Sequence, residues 1–393
     1  MKFKMIQLDV VLLCLTFNEI TILPHIVFIG FKYAVLSYLL LRYIPTANNM
    51  PLIIIPTVLF GVENVFSTVI NNGSQNSTVA SMVFAVQVLV IFLVTDNFLG
   101  KYSLEEYAAT ALAAFGVLIV ITDGLMLVKH YRFSNPNERY FIGDKFVVSY
   151  LHCFVSALLF MLSYKTERVW KISSGKLILN GLSLRLGAFA FTGFSVLVCR
   201  KVTCSTGMLA CVLLFVMMLV PIGVRIVLSS GKAMIIVTSV LDVLLLGSYS
   251  ILKNDFVHEF IYGTLEKSVT WNGRLIIWKE IFRLIGKKPV FGYGYYSNVV
   301  QEVVGFDANP QNGVLKILID MGILGLVLFG VMVWISFRNI RGEALKKLYP
   351  VVAFMYPMIF ASLVEINLTH MIVFMAMAIA YSGTRYIRRG QLI

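Results

Sequence analysis

Basic side chains collect in two polar segments of the chain, residues 128–145 and 253–312. The shorter segment includes Arg132 and the longer one Arg274, each among several other basic residues. A guanidinium group binds phosphate or carboxylate oxygens through two parallel hydrogen bonds. These clusters therefore predict anion binding. The side of the membrane on which an anion would bind depends on the apolar segments between the clusters.

The composition is that of a membrane protein. Of 393 residues, 59% are hydrophobic and 13% are charged, about half the charged share of roughly 25% in soluble proteins. Because a bilayer-spanning helix takes about 20 apolar residues, we predict an all-α, polytopic protein with about 10–12 transmembrane helices. The same inventory excludes a disordered chain, a disulfide scaffold and a soluble nucleic-acid binder.

Twelve apolar runs divide the chain, which we interpret as a single transmembrane domain over residues 1–393. The predicted spans lie near 6–22, 25–43, 51–70, 78–97, 104–127, 146–164, 175–198, 206–226, 232–252, 314–336, 348–366 and 369–385. One region, 166–205, permits either a single helix with a buried Arg185 or a pair of half-helices that relieves that cost.

The distribution of lysine and arginine predicts which loops share a side. The N-terminus, the loop 337–347 and the C-terminal tail are basic and short, which places them in the cytoplasm by the positive-inside tendency. Both polar segments then lie outside: 128–145 as a first external loop and 253–312 as a large one. A basic short loop on the outer side opposes that tendency, and anion binding would explain its charge.

The large loop continues into a sequence with several recognisable pieces. Residues 271–329 read WNGRLIIWKEIFRLIGKKPVFGYGYYSNVVQEVVGFDANPQNGVLKILIDMGILGLVLF. The first part predicts an amphipathic helix on the membrane surface, ended by Lys287-Lys288-Pro289. Gly292-Tyr293-Gly294 predicts a tight turn, and Gly322 and Gly325 predict close helix packing.

The order of these pieces resembles the C-terminal signature of the O-antigen polymerase and O-antigen ligase superfamily. The matching elements are GRxxIW, PxFGYG, and a polar-Asn dipeptide followed by nine residues and GxxG. Arg132 and Arg283, each separated by ten residues from the glycine that follows, are similar to the polymerase branch, and Ser183 to Arg185 resembles a serine-arginine element of the family. Where ligases have a histidine, this chain has Gln311, which favours the polymerase branch.

The resemblance implies a glycosyltransferase that joins undecaprenyl-diphosphate-linked oligosaccharides at the outer face of the bacterial cytoplasmic (inner) membrane, with a GT-C-like architecture whose external loop contains short interfacial helices. Besides the carrier-linked glycan and membrane lipids, it implies a chain-length regulator and a flippase as partners. The expected catalytic residues are Arg132, Arg274, Asp307 and Glu302. The expected substrate-binding residues are Arg283, Arg139, Arg185, Gln311, Asn312, Tyr293 and Trp278. Glu280, His258, Glu365 and His370 are further candidates for the general base.

No clear metal-binding carboxylate motif is present in the sequence, so we expect metal-independent chemistry without a cofactor, in which arginines stabilise the departing diphosphate. Several alternatives stay open. The basic residues of the large loop could anchor a helix to lipid headgroups, and the Trp and Tyr residues could form an interfacial belt. The protein could instead be a ligase for finished glycan, or a transporter or flippase of a lipid-linked sugar, although the sequence has no internal repeat of the kind common in transporters.

Overall fold

The computed structural model describes residues 4–44, 50–71, 75–129, 139–164, 167–172, 175–247, 268–305 and 308–390. Two short antiparallel hairpins accompany the helices: β1 (Arg139–Tyr140) with β2 (Gly143–Asp144), and β3 (Glu167–Ile172) with β4 (Gly175–Asn180). The helices are α1 (Met5–Leu15), α2 (His25–Tyr43), α3 (Ile54–Ile70), α4 (Gln75–Leu99), α5 (Leu104–Lys129), α6 (Lys145–Leu162), α7 (Gly181–Lys201), α8 (Ser205–Leu219), α9 (Ile222–Leu228), α10 (Gly231–Gly247), α11 (Ser268–Lys287), α12 (Val299–Val304), α13 (Gly313–Phe337), α14 (Glu343–Ser362) and α15 (Met371–Arg388).

The prediction of an all-α polytopic membrane protein is confirmed. Among the described residues, seven helices are long and apolar enough to cross a membrane, and an eighth span results if α9 and α10, which meet at 79°, count as one. Each of the twelve predicted spans contains a helix. The predicted span near 6–22 is nevertheless wrong in extent, because α1 ends at Leu15 and its 11 residues reach only about 16 Å at 1.5 Å per residue.

The ambiguous region 166–205 contains one membrane helix, not two half-helices. Residues 175–180, predicted as the start of a span, form β4 instead, and α7 begins only at Gly181. Arg185 therefore lies in the first turns of α7 with an exposed side chain, so it avoids the cost of a charge at mid-membrane. The broken span is elsewhere, between α9 and α10.

The helices form a bundle with two distinct ends. The ammonium group of Lys4 lies 4.3 Å from the Tyr102 ring centroid, and Arg385 forms an ion pair with Asp96 at 3.1 Å. We call this the terminal end, because it brings the described residues nearest both termini together. The opposite end, which includes β2, α11 and the connection between α14 and α15, is the loop end.

A break in α13 shapes the loop end. At Gly322 the backbone leaves the helical conformation, with φ 62° and ψ −163°, and the segment 289–294 crosses the gap. Four backbone hydrogen bonds replace the lost helical ones: Tyr293 N–H to Ile319 O (2.7 Å), Gly294 N–H to Asp320 O (2.9 Å), Ile323 N–H to Pro289 O (2.8 Å) and Leu324 N–H to Val290 O (3.3 Å). A Cβ at Gly322 would lie 2.2 Å from Val290 O, so the PxFGYG and GxxG motifs are the two halves of one joint.

The same joint is fixed to α3. The Ser67 hydroxyl donates to Asp320 O at 2.7 Å, and the Tyr295 N–H donates to Thr68 Oγ1 at 2.9 Å. A Cβ at Gly294, where φ is +92°, would approach Thr68 Cα to 2.8 Å. These contacts set the position of Tyr295, whose ring faces the cavity described below.

Candidate functional site

Asn312 and Gln311 form the entry to α13 at the loop end. Asn312 is fully buried and caps the helix by accepting from the Leu315 N–H at 2.9 Å. Its amide donates to Asp242 Oδ1 at 2.7 Å and to Leu363 O at 3.3 Å. Through these bonds Asn312 joins three parts of the fold, and its expected contact with the substrate stays a prediction.

Gln311 holds the catalytic candidate Arg274. Its backbone is in the left-handed region, with φ +46°, and its N–H donates to Asn309 Oδ1 at 2.8 Å. In this conformation Gln311 Oε1 accepts a hydrogen bond from Arg274 Nε at 2.6 Å. The terminal nitrogens of Arg274 have no hydrogen bond to any residue that the structure describes, so the fork of the guanidinium group is available to an anion.

Trp278 and Tyr293 fix the helix that bears Arg274. The predicted amphipathic helix forms and ends at Lys287, but its apolar face packs on protein, with Trp278 and Ile281 buried against the start of α13. Trp278 Nε1–H donates to Pro310 O at 3.1 Å, and the Tyr293 hydroxyl donates to Leu284 O at 2.9 Å. Both side chains thus position α11 against the loop that carries Gln311, and the expected contact of their rings with sugar stays a prediction.

Glu365 lies in the connection between α14 and α15, within electrostatic range of Arg274. Burial raises the pKa of Glu365 to about 7, while the charges of Arg274 and Lys145 lower it and the Asp144 carboxylate raises it further. Glu365 makes no hydrogen bond or ion pair with the residues described in the structure. A half-buried carboxyl group near neutral pKa has the properties of a general base.

His370, at the start of α15, extends this group. Its ring packs edge-on against Tyr150 with centroids 5.8 Å apart. Burial lowers the pKa of His370 below its ordinary value, and the Asp144 carboxylate partly opposes that change. Asp144 itself caps α6 by accepting from the N–H groups of Phe146 and Val147 at 2.9 Å. We call Asp144, Lys145, Arg274, Gln311, Glu365 and His370 the loop-end cluster.

Other predicted site residues lie apart from this cluster. Arg185 contacts the Tyr164 ring at 5.1 Å, near the end of α6 opposite Lys145. The 18 residues of α6 span about 27 Å, so Arg185 lies far from the loop-end cluster, and its expected substrate-binding role stays a prediction. Arg283 is exposed and pairs with Glu280 at 3.2 Å. Glu302 is exposed on α12.

Four predicted residues fall where the structure gives no side chain. Arg132, Asp307 and His258 lie outside the described residues, and Arg139 is described only through the backbone of β1. The expected meeting of Arg132 with Arg274 is therefore still a prediction. Within the described residues, no group of three or more His, Cys, Asp and Glu side chains is arranged to hold a metal ion.

A cavity of about 840 Å³ lies beside the cluster, between α2, α4 and the Tyr295–Tyr296 pair. A smaller one of about 220 Å³ shares Lys32, Gln87 and both tyrosines with it and ends at Thr369 and His370. Sequence analysis did not find Lys32 or Gln87. Their signal was present, since each is a polar residue within a predicted apolar span.

Comparison with known proteins supports the resemblance noted from the loop motifs. The chain matches the O-antigen ligase family over residues 147–330. It is similar to a Rickettsia felis protein named "Putative polysaccharide ligase", with 30% identity over 81 residues, which cover 17% of this chain and 20% of that protein. The chain thus spans about a fifth of the length of this curated relative. No solved structure matches the chain.

Two findings therefore agree: the described helices are those of a multi-pass membrane protein, and residues 147–330 are similar to the O-antigen ligase family. The matched residues include Arg274, Gln311 and the Gly322 joint. They do not include Lys32, Glu365 or His370, which lie before and after the matched segment.

Proposed function

We propose that this protein is a polysaccharide polymerase that joins oligosaccharide repeat units carried on undecaprenyl diphosphate, at the outer face of the bacterial cytoplasmic membrane. The observation that carries the proposal is the Arg274 Nε to Gln311 Oε1 hydrogen bond of 2.6 Å. It orients a guanidinium fork at the end of the bundle, beside a carboxyl group of near-neutral pKa. The cluster would then face the periplasmic side and the basic terminal end the cytoplasm.

In the proposed reaction, a hydroxyl oxygen of the acceptor glycan forms a bond to the anomeric carbon of the donor. The bond from that carbon to the diphosphate oxygen breaks, and the configuration inverts. Arg274 binds the departing diphosphate, with Arg132 as the expected second arginine. Charge stabilisation of this kind is a major contribution to catalysis in a site shielded from water.

The hydroxyl proton passes to Glu365 in this scheme. A base is most effective when its pKa is close to the working pH, which suits a carboxyl group with a pKa of about 7. Burial lowers the pKa of His370, which lies within electrostatic range of Asp144, as Glu365 does. Asp307 and Glu302 are the bases that the sequence favours, and Glu302 makes no described contact with the cluster.

A deletion in the source bacterium tests the proposed activity. We expect the strain to keep single repeat units on the carrier and to lose long chains, as measured by gel separation of the carrier-linked glycan. An unchanged chain-length distribution would refute the polymerase function. The wild-type gene restored at the same locus is the control.

A ligase is the second candidate, because both the matched family and the Rickettsia felis relative are named as ligases. Loss of a ligase leaves long polymer on the carrier and none attached to an acceptor, so the size of the carrier-linked glycan separates the two activities. A transporter would move lipid-linked sugar across proteoliposomes without forming glycosidic bonds. A chain-length regulator and a flippase are proposed partners of the polymerase.

A further inference from the structure

The two neighbouring cavities at the loop end share five lining residues, Lys32, Gln87, Tyr295, Tyr296 and Met371. We treat them together and call them the joined cavity. Its larger part has about 840 Å³, within the range of about 300–1,000 Å³ typical of small-molecule sites. Its smaller part ends at His370, a member of the loop-end cluster. The joined cavity and the loop-end cluster thus share His370.

Gln87 gives the joined cavity an unsatisfied acceptor. The side chain is completely buried and lines both parts. Its amide nitrogen donates to Thr16 O at 3.0 Å and to Thr16 Oγ1 at 3.1 Å, but Oε1 has no hydrogen-bond partner among the described residues. A buried oxygen without a donor costs free energy, and a ligand hydroxyl in the cavity would supply that donor.

Lys32 gives the joined cavity an unpaired cation. The side chain is half-buried on α2 and also lines both parts, and it has no ion pair with a residue that the structure describes. The carboxylate of the larger part, Glu19, lies 2.8 Å from His25 Nδ1. A cation that is partly removed from water and lacks a carboxylate partner favours an anionic ligand.

The tyrosine pair adds an apolar face. Tyr295 and Tyr296 have ring centroids 4.5 Å apart, and Phe84 lies 5.2 Å from Tyr295. Tyr296 is 65% exposed and lines the cavity. Its backbone, directly after segment 289–294 and Tyr295, has φ +56°, which is uncommon for a residue other than glycine. A sugar ring has an apolar face, which can stack on an aromatic ring, and hydroxyl groups at its edge, which can donate to an acceptor such as Gln87 Oε1.

We propose that the joined cavity binds the acceptor glycan, and that the bound sugar is acidic, with its carboxylate on Lys32 and a hydroxyl donating to Gln87 Oε1. This assignment rests on the proposed function and names a substrate class for it. The acceptor hydroxyl would enter the loop-end cluster past His370. Lys32 and Gln87 are thus binding residues for the acceptor, distinct from the diphosphate site at Arg274.

The test compares three probes on purified full-length protein. The first is the carrier-linked glycan from a strain in which the only copy of the gene for this protein encodes the Arg274→Ala variant. The second is the oligosaccharide released from that glycan by mild acid. The third is the bare polyprenyl diphosphate. Binding is measured by thermophoresis for the wild type, Lys32→Gln, Lys32→Arg and the matched control Lys101→Gln, whose lysine is exposed at the terminal end.

We expect Lys32→Gln to weaken binding of the free oligosaccharide about tenfold, the effect of losing one charge-assisted hydrogen bond of about 1.5 kcal/mol. Lys32→Arg should restore most of it, and Lys101→Gln should leave it unchanged. Chemical reduction of the carboxylates of the oligosaccharide should make wild type and Lys32→Gln bind it equally. Thermal unfolding of each variant shows whether it is folded.

Two results would overturn the assignment: equal binding of the free oligosaccharide by wild type and folded Lys32→Gln, or a loss confined to the bare diphosphate, which would place the carrier at Lys32. Failure of the proposed function looks different. In that case the Arg274→Ala strain accumulates no carrier-linked single repeat, before any binding is measured.

Discussion

The two ends of the bundle differ in the partners of some partly buried charges. At the terminal end Asp96 pairs with Arg385 at 3.1 Å, and Asp9 pairs with Arg42 at 3.3 Å. Ion pairs occur at the loop end too, such as Arg283 with Glu280, but its cavity and cluster contain charges of another kind. At the loop end, Lys32 and Glu365 have no ion pair with any residue that the structure describes. The Arg274 guanidinium is held by a neutral amide in place of a carboxylate.

This difference separates stability from function. An ion pair within a partly buried region satisfies both of its members, and its loss chiefly affects folding. A cation with a neutral partner is not neutralised and can bind an incoming anion. Its partial desolvation destabilises the unliganded protein, and binding of the anion offsets that penalty. The ion pairs of the terminal end thus stabilise the fold, whereas the unpaired charges of the loop end are available to bind a ligand.

The largest expected effect is at Arg274. Arg274→Ala should lower polymer formation by about a hundredfold or more, because a group that stabilises developing charge is lost. Arg274→Lys should recover little, since an ammonium group cannot make the bidentate contact. Chain length of the carrier-linked glycan is the measurement, at matched membrane levels. The control is Lys279→Ala on the same helix, and wild-type activity in Arg274→Ala would remove this arginine from the site.

Glu365→Gln should reduce activity by about a hundredfold, the lower range for loss of a general base. In the wild type the rate should rise with pH around a midpoint near 7, where the carboxyl group of Glu365 loses its proton. The residual activity of Glu365→Gln should lack this rise. A variant that keeps both the rate and the wild-type pH profile would assign the base elsewhere.

The same substitution should have the opposite effect on stability. The folded-state pKa of Glu365 is raised from 4.5 to about 7, so the folded protein binds the proton more tightly than the unfolded chain. Stability is then lost as pH rises from 4.5 through 7. Glu365→Gln removes that loss, so its Tm should exceed that of the wild type by about 1–3 °C at pH 8 and match it near pH 4.5.

Gln311→Leu tests whether the amide orients Arg274 or merely fills space. We expect about a tenfold loss of activity, in line with one hydrogen bond to a charged group, with Arg274 still present to bind the diphosphate. Gln311→Glu should lower activity further, because a carboxylate would neutralise the guanidinium group. Equal activity in Gln311→Leu and wild type would show that α11 alone positions Arg274.

Much of the fold can be predicted from the sequence, because long apolar runs indicate the segments that lie in the lipid bilayer. Every predicted span contains a helix, and the turn at Gly292 and Gly294 has the positive φ that the glycines indicate. The extent of α1 and the start of α7 did not follow, since apolar residues also form β4 and the connection after α1. Apolar character limits where a span can be, while hydrogen bonding decides where a helix ends.

The site was less predictable for a different reason. Arg274 and Gln311 occur in a recognisable order, so the sequence could predict that both belong to the site. It predicted Trp278 and Tyr293 as substrate-binding residues, but it could not predict that they hydrogen-bond to backbone carbonyls and position α11. A sequence gives a side chain's chemistry and not its partner. Lys32 and Gln87 lie far along the chain from the signature, and only tertiary packing brings them beside Tyr295.

The smallest effect on activity is expected at the terminal end. Asp96 accepts from Arg385, from the Ser382 hydroxyl at 3.0 Å and from the Tyr386 hydroxyl at 3.2 Å. Asp96→Asn should lower Tm by about 2–5 °C, because it removes the negative charge that pairs with the partly buried Arg385. The double variant Asp96→Asn with Arg385→Gln should regain part of that loss. Activity per folded molecule should stay within about twofold of wild type, since the pair lies at the opposite end from Arg274; an inactive variant with unchanged Tm would show that the terminal end also takes part in the reaction.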